Sequence, residues 1–194
     1  MKKTYELVIS GFGGQGVLSM GKILAYSGLM GGKEVSWMPS YGPEQRGGTA
    51  NVTVIISEEG ISSPILNEYD VAIVLNQPSM DKFLPMVKKG GIVLYDSNGV
   101  SHVPERDDIN VFRVDAVDES VKMNNTKVFN IIVLGGLLKV APMVDINNIE
   151  AGLKKSLPER HHKLIPLNLE AVSYTHLTLP TNHDMCRSRW SPYH

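Results

Sequence analysis

Two glycine-rich stretches carry the residue types and spacings that could do chemistry. The first, Gly11-Phe12-Gly13-Gly14-Gln15-Gly16, follows an apolar run, Tyr5–Ser10, and opens an amphipathic one. This is the G-x-G-x-x-G pattern in a strand-to-helix context. Gly11 permits a tight turn, Gly13 lets backbone approach a ligand, and Gly16 lets the helix sit on the strand. Gly14 and Gln15 complete the candidate cofactor-binding set, because N–H groups at a helix start can receive an anion such as a pyrophosphate. The alternative use of such a loop is close packing of helix on strand with no ligand.

The pattern lacks two companions. A dinucleotide site wants Asp or Glu near the end of the second strand to hold the ribose hydroxyls. Here that strand runs Val35-Ser36-Trp37-Met38 into Pro39-Ser40, and Glu34 stands at the wrong end. No Lys-Ser/Thr follows the glycines, so the loop is not a Walker loop. Packing is therefore favoured over a nicotinamide cofactor, and another anionic group, such as the nucleotide part of coenzyme A, remains open.

The second stretch, Pro39–Gly48, holds two prolines and three glycines in ten residues, so its shape is specified. It follows the carboxyl end of a strand, where open α/β sheets place binding loops. Arg46 can pair bidentately with a carboxylate or phosphate, and Glu44 can be its internal partner. Tyr41, Glu44, Arg46, Gly47 and Gly48 are the candidate interface or anion-positioning residues. The bland alternative is a turn that buries Tyr41 and leaves Arg46 in solvent.

Together these stretches resemble the gamma subunit of the 2-oxoacid:ferredoxin oxidoreductases. The likeness continues through Ser62-Ser63-Pro64, Asp70–Leu75, Gly90–Asp96, Asn130–Gly135 and Leu167–Ala171, about residues 4–172. The resemblance implies one subunit of a complex that oxidatively decarboxylates a 2-oxoacid, such as 2-oxoglutarate or pyruvate, with coenzyme A. The products are an acyl-CoA and carbon dioxide, and two electrons pass to ferredoxin. Thiamine diphosphate with magnesium would be held by alpha and beta subunits, and iron–sulfur clusters by beta or a small delta subunit. This chain would bind no cofactor alone and hold no catalytic residue or metal. Asn130, inside one of the shared motifs, would have an interfacial role.

The residues agree. Through position 172 there is no cysteine, so no cysteine-ligated cluster can form there. Asp96-Ser97-Asn98-Gly99 reads as a turn and not as a thiamine diphosphate loop. His161-His162 are adjacent, cannot share a helical face, and read as a solvated patch. His102 has no nucleophile beside it in sequence. Free-standing NAD(P)-dependent dehydrogenase and nucleotide-sensing module are the other two classes to weigh.

The elements that must position these loops follow from hydrophobic period. Expected strands are Tyr5–Ser10, Glu34–Met38, Ala50–Ser57, Tyr69–Leu75, Ile92–Tyr95 and Asn110–Val114. Expected helices are Val17–Leu29, Pro78 to about Val87 ending at Lys88-Lys89-Gly90-Gly91, Asn124–Val140, one capped by Asp145 or Asn147 through Leu157, and Glu159–Ala171. Gly21, Ala25 and Gly28 are small enough to bring the first helix close to the sheet. The expected fold is one Rossmann-like, doubly wound, mostly parallel sheet with helices on both faces.

Length and charge set the outer bounds. A chain of 194 residues with 42% hydrophobic residues can bury one core, and a net charge of -1 implies no global attraction to nucleic acid or anionic lipid. No apolar run is long enough to span a membrane, so the expected place is the cytoplasm. Residues 173–194 hold the sole cysteine and three of the six histidines, with no clear period beyond an alternation in Tyr174–Leu179 that could make a strand. The spacings of His176, His183, Cys186 and His194 match no compact zinc pattern. The domain is therefore expected over 1–172, with an atypical or foreign tail after it.

Overall fold

A computed structural model describes residues 4–41 and 49–178. The order is β1 (Thr4–Phe12), α1 (Val17–Met30), β2 (Glu34–Tyr41), β3 (Thr49–Ser57), β4 (Tyr69–Val74), α2 (Gln77–Phe83), β5 (Val87–Asp96), β6 (Asn110–Val114), α3 (Ala116–Lys122), α4 (Phe129–Val140), α5 (Ile149–Ser156) and α6 (Ile165–Thr178). The strands form one sheet in the order β2-β3-β1-β4-β5-β6. β1, β4, β5 and β6 pair in parallel, whereas β3 is antiparallel to both β1 and β2. The mostly parallel, doubly wound expectation holds.

Strand alternation divides the core in two. Leu7 and Ile9 of β1 and Val52, Val54 and Ile56 of β3 face α1, with α4, α5 and α6 completing that side. Val8, Ala72, Val74 and Val93 face the other way, onto Met80 and Phe83 of α2 and Leu84 just after it. β4 is buried along its whole length, as a strand covered on both faces must be.

Close approach of α1 depends on its glycines. A Cβ at Gly21 would lie 2.7 Å from Val52 Cγ1, and one at Gly28 would lie 2.9 Å from Val35 Cγ2. On the opposite side α5 uses the same device, since a Cβ at Gly152 would overlap Ser27 Oγ.

Several boundaries differ from expectation, among them the last helix, whose expected start at Glu159 is a 3-10 stretch before α6 begins at Ile165. The helix after Pro78 stops at Phe83 and tightens to a 3-10 turn over Leu84–Met86. Pro85 has no N–H to continue the α-helical ladder. Lys88 and Lys89 accordingly lie in β5 and not at a helix end. The Lys88 ammonium sits between the Glu6 and Asp70 carboxylates, 3.0 Å from Asp70 and closer still to Glu6. The helix expected from Asn124 starts at Phe129, after a 3-10 turn whose Lys127 N–H is accepted by Asn125 Oδ1 at 3.0 Å. β2 continues through Pro39 to Tyr41, tolerable because it is an edge strand. Residues 174–178, where alternation allowed a strand, continue the helix α6.

Candidate functional site

The Gly11–Gly16 stretch lies at the carboxyl end of β1, from which the chain runs through α1 to β2 on one side of the sheet, while from the neighbouring β4 it runs through α2 to β5 on the other. This is the switch point at which doubly wound sheets bind ligands. The loop closes on itself there. Gln15 Oε1 accepts from Phe12 N at 2.6 Å, and Gln15 Nε2 donates to Leu75 O, just past β4, at 3.1 Å. Gly11 must be glycine because a Cβ would fall 2.5 Å from Gln15 Oε1 and 2.9 Å from Leu75 Cβ. Gly13 is exposed. Gly14 and Gly16 adopt left-handed φ angles of 103° and 76°, which favour glycine.

Asn130, on the first turn of α4, packs directly on the loop. A Cβ at Gly16 would come within 2.7 Å of Asn130 Nδ2. Gly14, Gln15, Gly16 and Asn130 thus meet around one cleft of about 440 Å³, whose far wall is Val117 and Ser120 of α3 with Lys127 and Phe129. Residues more than a hundred positions apart in sequence are joined here by packing alone.

Of the second loop, the backbone of Tyr41 closes β2 opposite Ala50. Glu44, Arg46, Gly47 and Gly48 lie outside the described residues. The dinucleotide alternative loses its geometry as well as its acid. In that arrangement the second strand lies parallel beside the first, whereas here β3 separates β2 from β1. Glu34 begins β2, paired with Ser57 at the opposite end of the strand from the loops.

The Asp96–Gly99 segment is a turn, as expected. Asp96 is buried and its carboxylate accepts from Asn98 N at 3.2 Å and from Ala116 N at 3.0 Å, joining β5 to the start of α3. Burial pushes its carboxyl above the ordinary range, against the opposing backbone N–H bonds. Asp115 goes the other way. Burial raises it, but the Ser97 hydroxyl and the Arg113 guanidinium prevail and hold it below the ordinary range.

α3, which walls the cleft with Val117 and Ser120, is the element that the sequence did not reveal. Its signal was present: Asp118 and Glu119 in the first turn and Lys122 in the last complement a helix dipole. Among the described residues the histidines join no group of His, Cys, Asp or Glu that could hold a metal ion. His162 is more than a solvated residue, since its Nε2 lies 3.1 Å from Lys154 O and 3.0 Å from Leu157 O and ties its turn to the end of α5. His102 is held through its backbone, its N–H donating to Gln77 Oε1 at 2.9 Å.

Residues 6–176 match the family model described as pyruvate ferredoxin/flavodoxin oxidoreductase. The chain belongs to this family. It is 39% identical over 165 residues to the ketoisovalerate oxidoreductase subunit VorA of Methanothermobacter thermautotrophicus, covering 84% of this chain and 34% of VorA. It therefore spans about a third of the length of that relative. It is 34% identical to the 2-oxoglutarate synthase subunit KorC of Methanocaldococcus jannaschii, covering 82% of this chain and 87% of KorC. Among solved structures, the gamma subunit of a keto/oxoacid ferredoxin oxidoreductase from Geobacter sulfurreducens PCA aligns with a TM-score of 0.78 at 27% identity. That alignment covers 92% of this chain and 99% of the other. The gamma-subunit resemblance read from the two loops is borne out.

Proposed function

We propose that this family member serves as the gamma-type subunit of a multi-subunit 2-oxoacid:ferredoxin oxidoreductase, an assembly that converts a 2-oxoacid and coenzyme A to an acyl-CoA and carbon dioxide and passes two electrons to ferredoxin. One observation carries the accessory reading. The Gln15 side chain engages both ends of its amide within the fold, in the loop that could have held a dinucleotide, and Asn130 packs against the loop's last glycine. In this reading the chain's role is to complete an assembly.

In this reading alpha and beta chains, with delta in some complexes, hold thiamine diphosphate, magnesium and the iron–sulfur clusters. The absence of cysteine through residue 172 accords with that division. The chain would sit near the coenzyme A side of the site, and Arg46 would pair with a phosphate or a partner carboxylate, with Glu44 as its internal partner. The assembly is assigned to the cytoplasm. Among the described residues no helix is long and apolar enough to cross a membrane.

The test is reconstitution. The chain alone should show no 2-oxoacid decarboxylation, and activity should appear only with alpha- and beta-type chains. Full activity of the isolated chain, or tight stoichiometric NADH binding, would reject the reading. In the reconstituted complex Arg46→Ala should lower activity while the isolated chain's thermal unfolding stays unchanged.

A further inference from the structure

Helix α3 is short and weakly held by its own residues. Its seven residues bury only Ala116 and Ser120, and Val121 is 57% exposed. A helix of this length does not hold itself together in water. Asp115, placed to cap it, makes no capping bond, because its carboxylate is turned to the Ser97 hydroxyl and the Arg113 guanidinium. The cap comes from another element instead. Asp96, buried at the end of β5, accepts from Ala116 N with one carboxylate oxygen and from Asn98 N with the other. The Val117 N–H bonds the same carboxylate. One side chain thus fastens the first turn of α3 to the sheet.

The other end of α3 leaves through a turn that its residues suit. Asn124 stands at a left-handed φ of 51°, a conformation that asparagine visits more readily than other residues with a side chain. Asn124 N donates to Val121 O and Asn125 N to Ser120 O, and Asn125 then starts the separate turn that leads into α4. α4 is held quite differently, with residues 131–138 all buried. The cleft lies between these unequal walls. Val117 and Ser120 line it from α3, against Gly14, Gln15, Gly16 and Asn130.

We propose that α3 is a hinged wall of this cleft, latched to the sheet by the Asp96 carboxylate and pivoting on the Asn124 turn, so that the cleft beside the glycine loop opens while the rest of the domain stays folded. The opening depends only on contacts within this chain, whether or not it joins a complex.

Native-state hydrogen exchange of the full chain, in water and in sub-denaturing urea, is the test. Amides of residues 119–123 should exchange at least about tenfold faster than those of residues 134–138, with little dependence on urea, because a local opening exposes little surface. Asp96→Asn keeps the shape of the side chain but sets an NH2 donor against the N–H of Ala116 or of Asn98, and should raise the ratio of α3 to α4 exchange by about tenfold again. Ala116→Pro removes the latched donor at the first helical position, where proline is otherwise favoured, and should shift the ratio the same way. α3 amides that share the rate and urea slope of α4 overturn the hinge. An unchanged ratio in either folded variant overturns the latch.

Discussion

Because Asn130 occupies the space where a Gly16 side chain would stand, the two residues should be energetically coupled. Gly16→Ala meets both a left-handed φ of 76° and the Asn130 amide, and should destabilise the fold by about 1–3 kcal/mol. Asn130→Ala added to it removes the two closest contacts but leaves the Cβ at 3.0 Å and the backbone strain, so the double variant should regain part of the loss. A double-mutant cycle from urea unfolding reads the coupling, and strict additivity would show that the contact carries no weight. The second residue-scale prediction concerns Lys88. Burial alone would lower its pKa, but hydrogen bonds and charge from Glu6 and Asp70 prevail and raise it. A group raised in the folded state stabilises fully below its unfolded pKa, about 10.4 for lysine, and that contribution is lost as pH rises through the folded value. Thermal unfolding followed from pH 8 to beyond 11 should therefore show a fall above about pH 10. Lys88→Met should flatten this fall and cost about 1–3 kcal/mol at neutral pH, discounted from a fully buried pair for partial exposure. Neither coupling was legible beforehand. The glycine pattern announced a turn and a helix start, but Glu6 with Lys88 and Gly16 with Asn130 are neighbours only once the sheet is folded.

At the scale of elements, the period of the sequence located α1 and the central strands well, since each buries a whole face and its pattern is strong. It failed where a short element is held from elsewhere. α3 is seven residues long, and the carboxylate of Asp96, from the end of β5, accepts the Ala116 N–H at its start. Lys88-Lys89-Gly90-Gly91 looked like a helix end because cations and glycines suit one. An ion triad reaching β1 and β4 made it a strand instead. Glycine between helices can be tested directly. Gly152→Ala places a methyl on Ser27 Oγ and close to Ile23 O, and α5 cannot retreat without losing the packing of Leu153 in the core. A loss of about 1–3 kcal/mol is expected, despite alanine's better helix propensity. Ser27→Ala in the same chain should restore part of it, as read by the midpoint of chemical denaturation. A gain in stability from Gly152→Ala alone would show that the α1–α5 contact is looser than its geometry.

For the whole molecule, the fold class was legible because alternating strands and covering helices admit few arrangements, but the position of β3 was not. A hairpin and a parallel crossover give the same hydrophobic run, and only pairing reveals that β3 lies antiparallel between β2 and β1. That insertion is what separates this sheet from a dinucleotide-binding one, because it displaces the strand whose end would hold the ribose acid. Binding confined to the folded chain must stabilise it by mass action, by about 2.7 kcal/mol when the partner stands at a hundred times its dissociation constant. For a domain of this size that amounts to roughly 5–10 °C in Tm. In the gamma-subunit reading, mixing the chain with alpha- and beta-type chains should therefore raise its Tm in a concentration-dependent way. NADH at millimolar concentration should produce no comparable shift. A Tm raised by NADH and indifferent to the partner chains would return the glycine loop to a nucleotide-binding role.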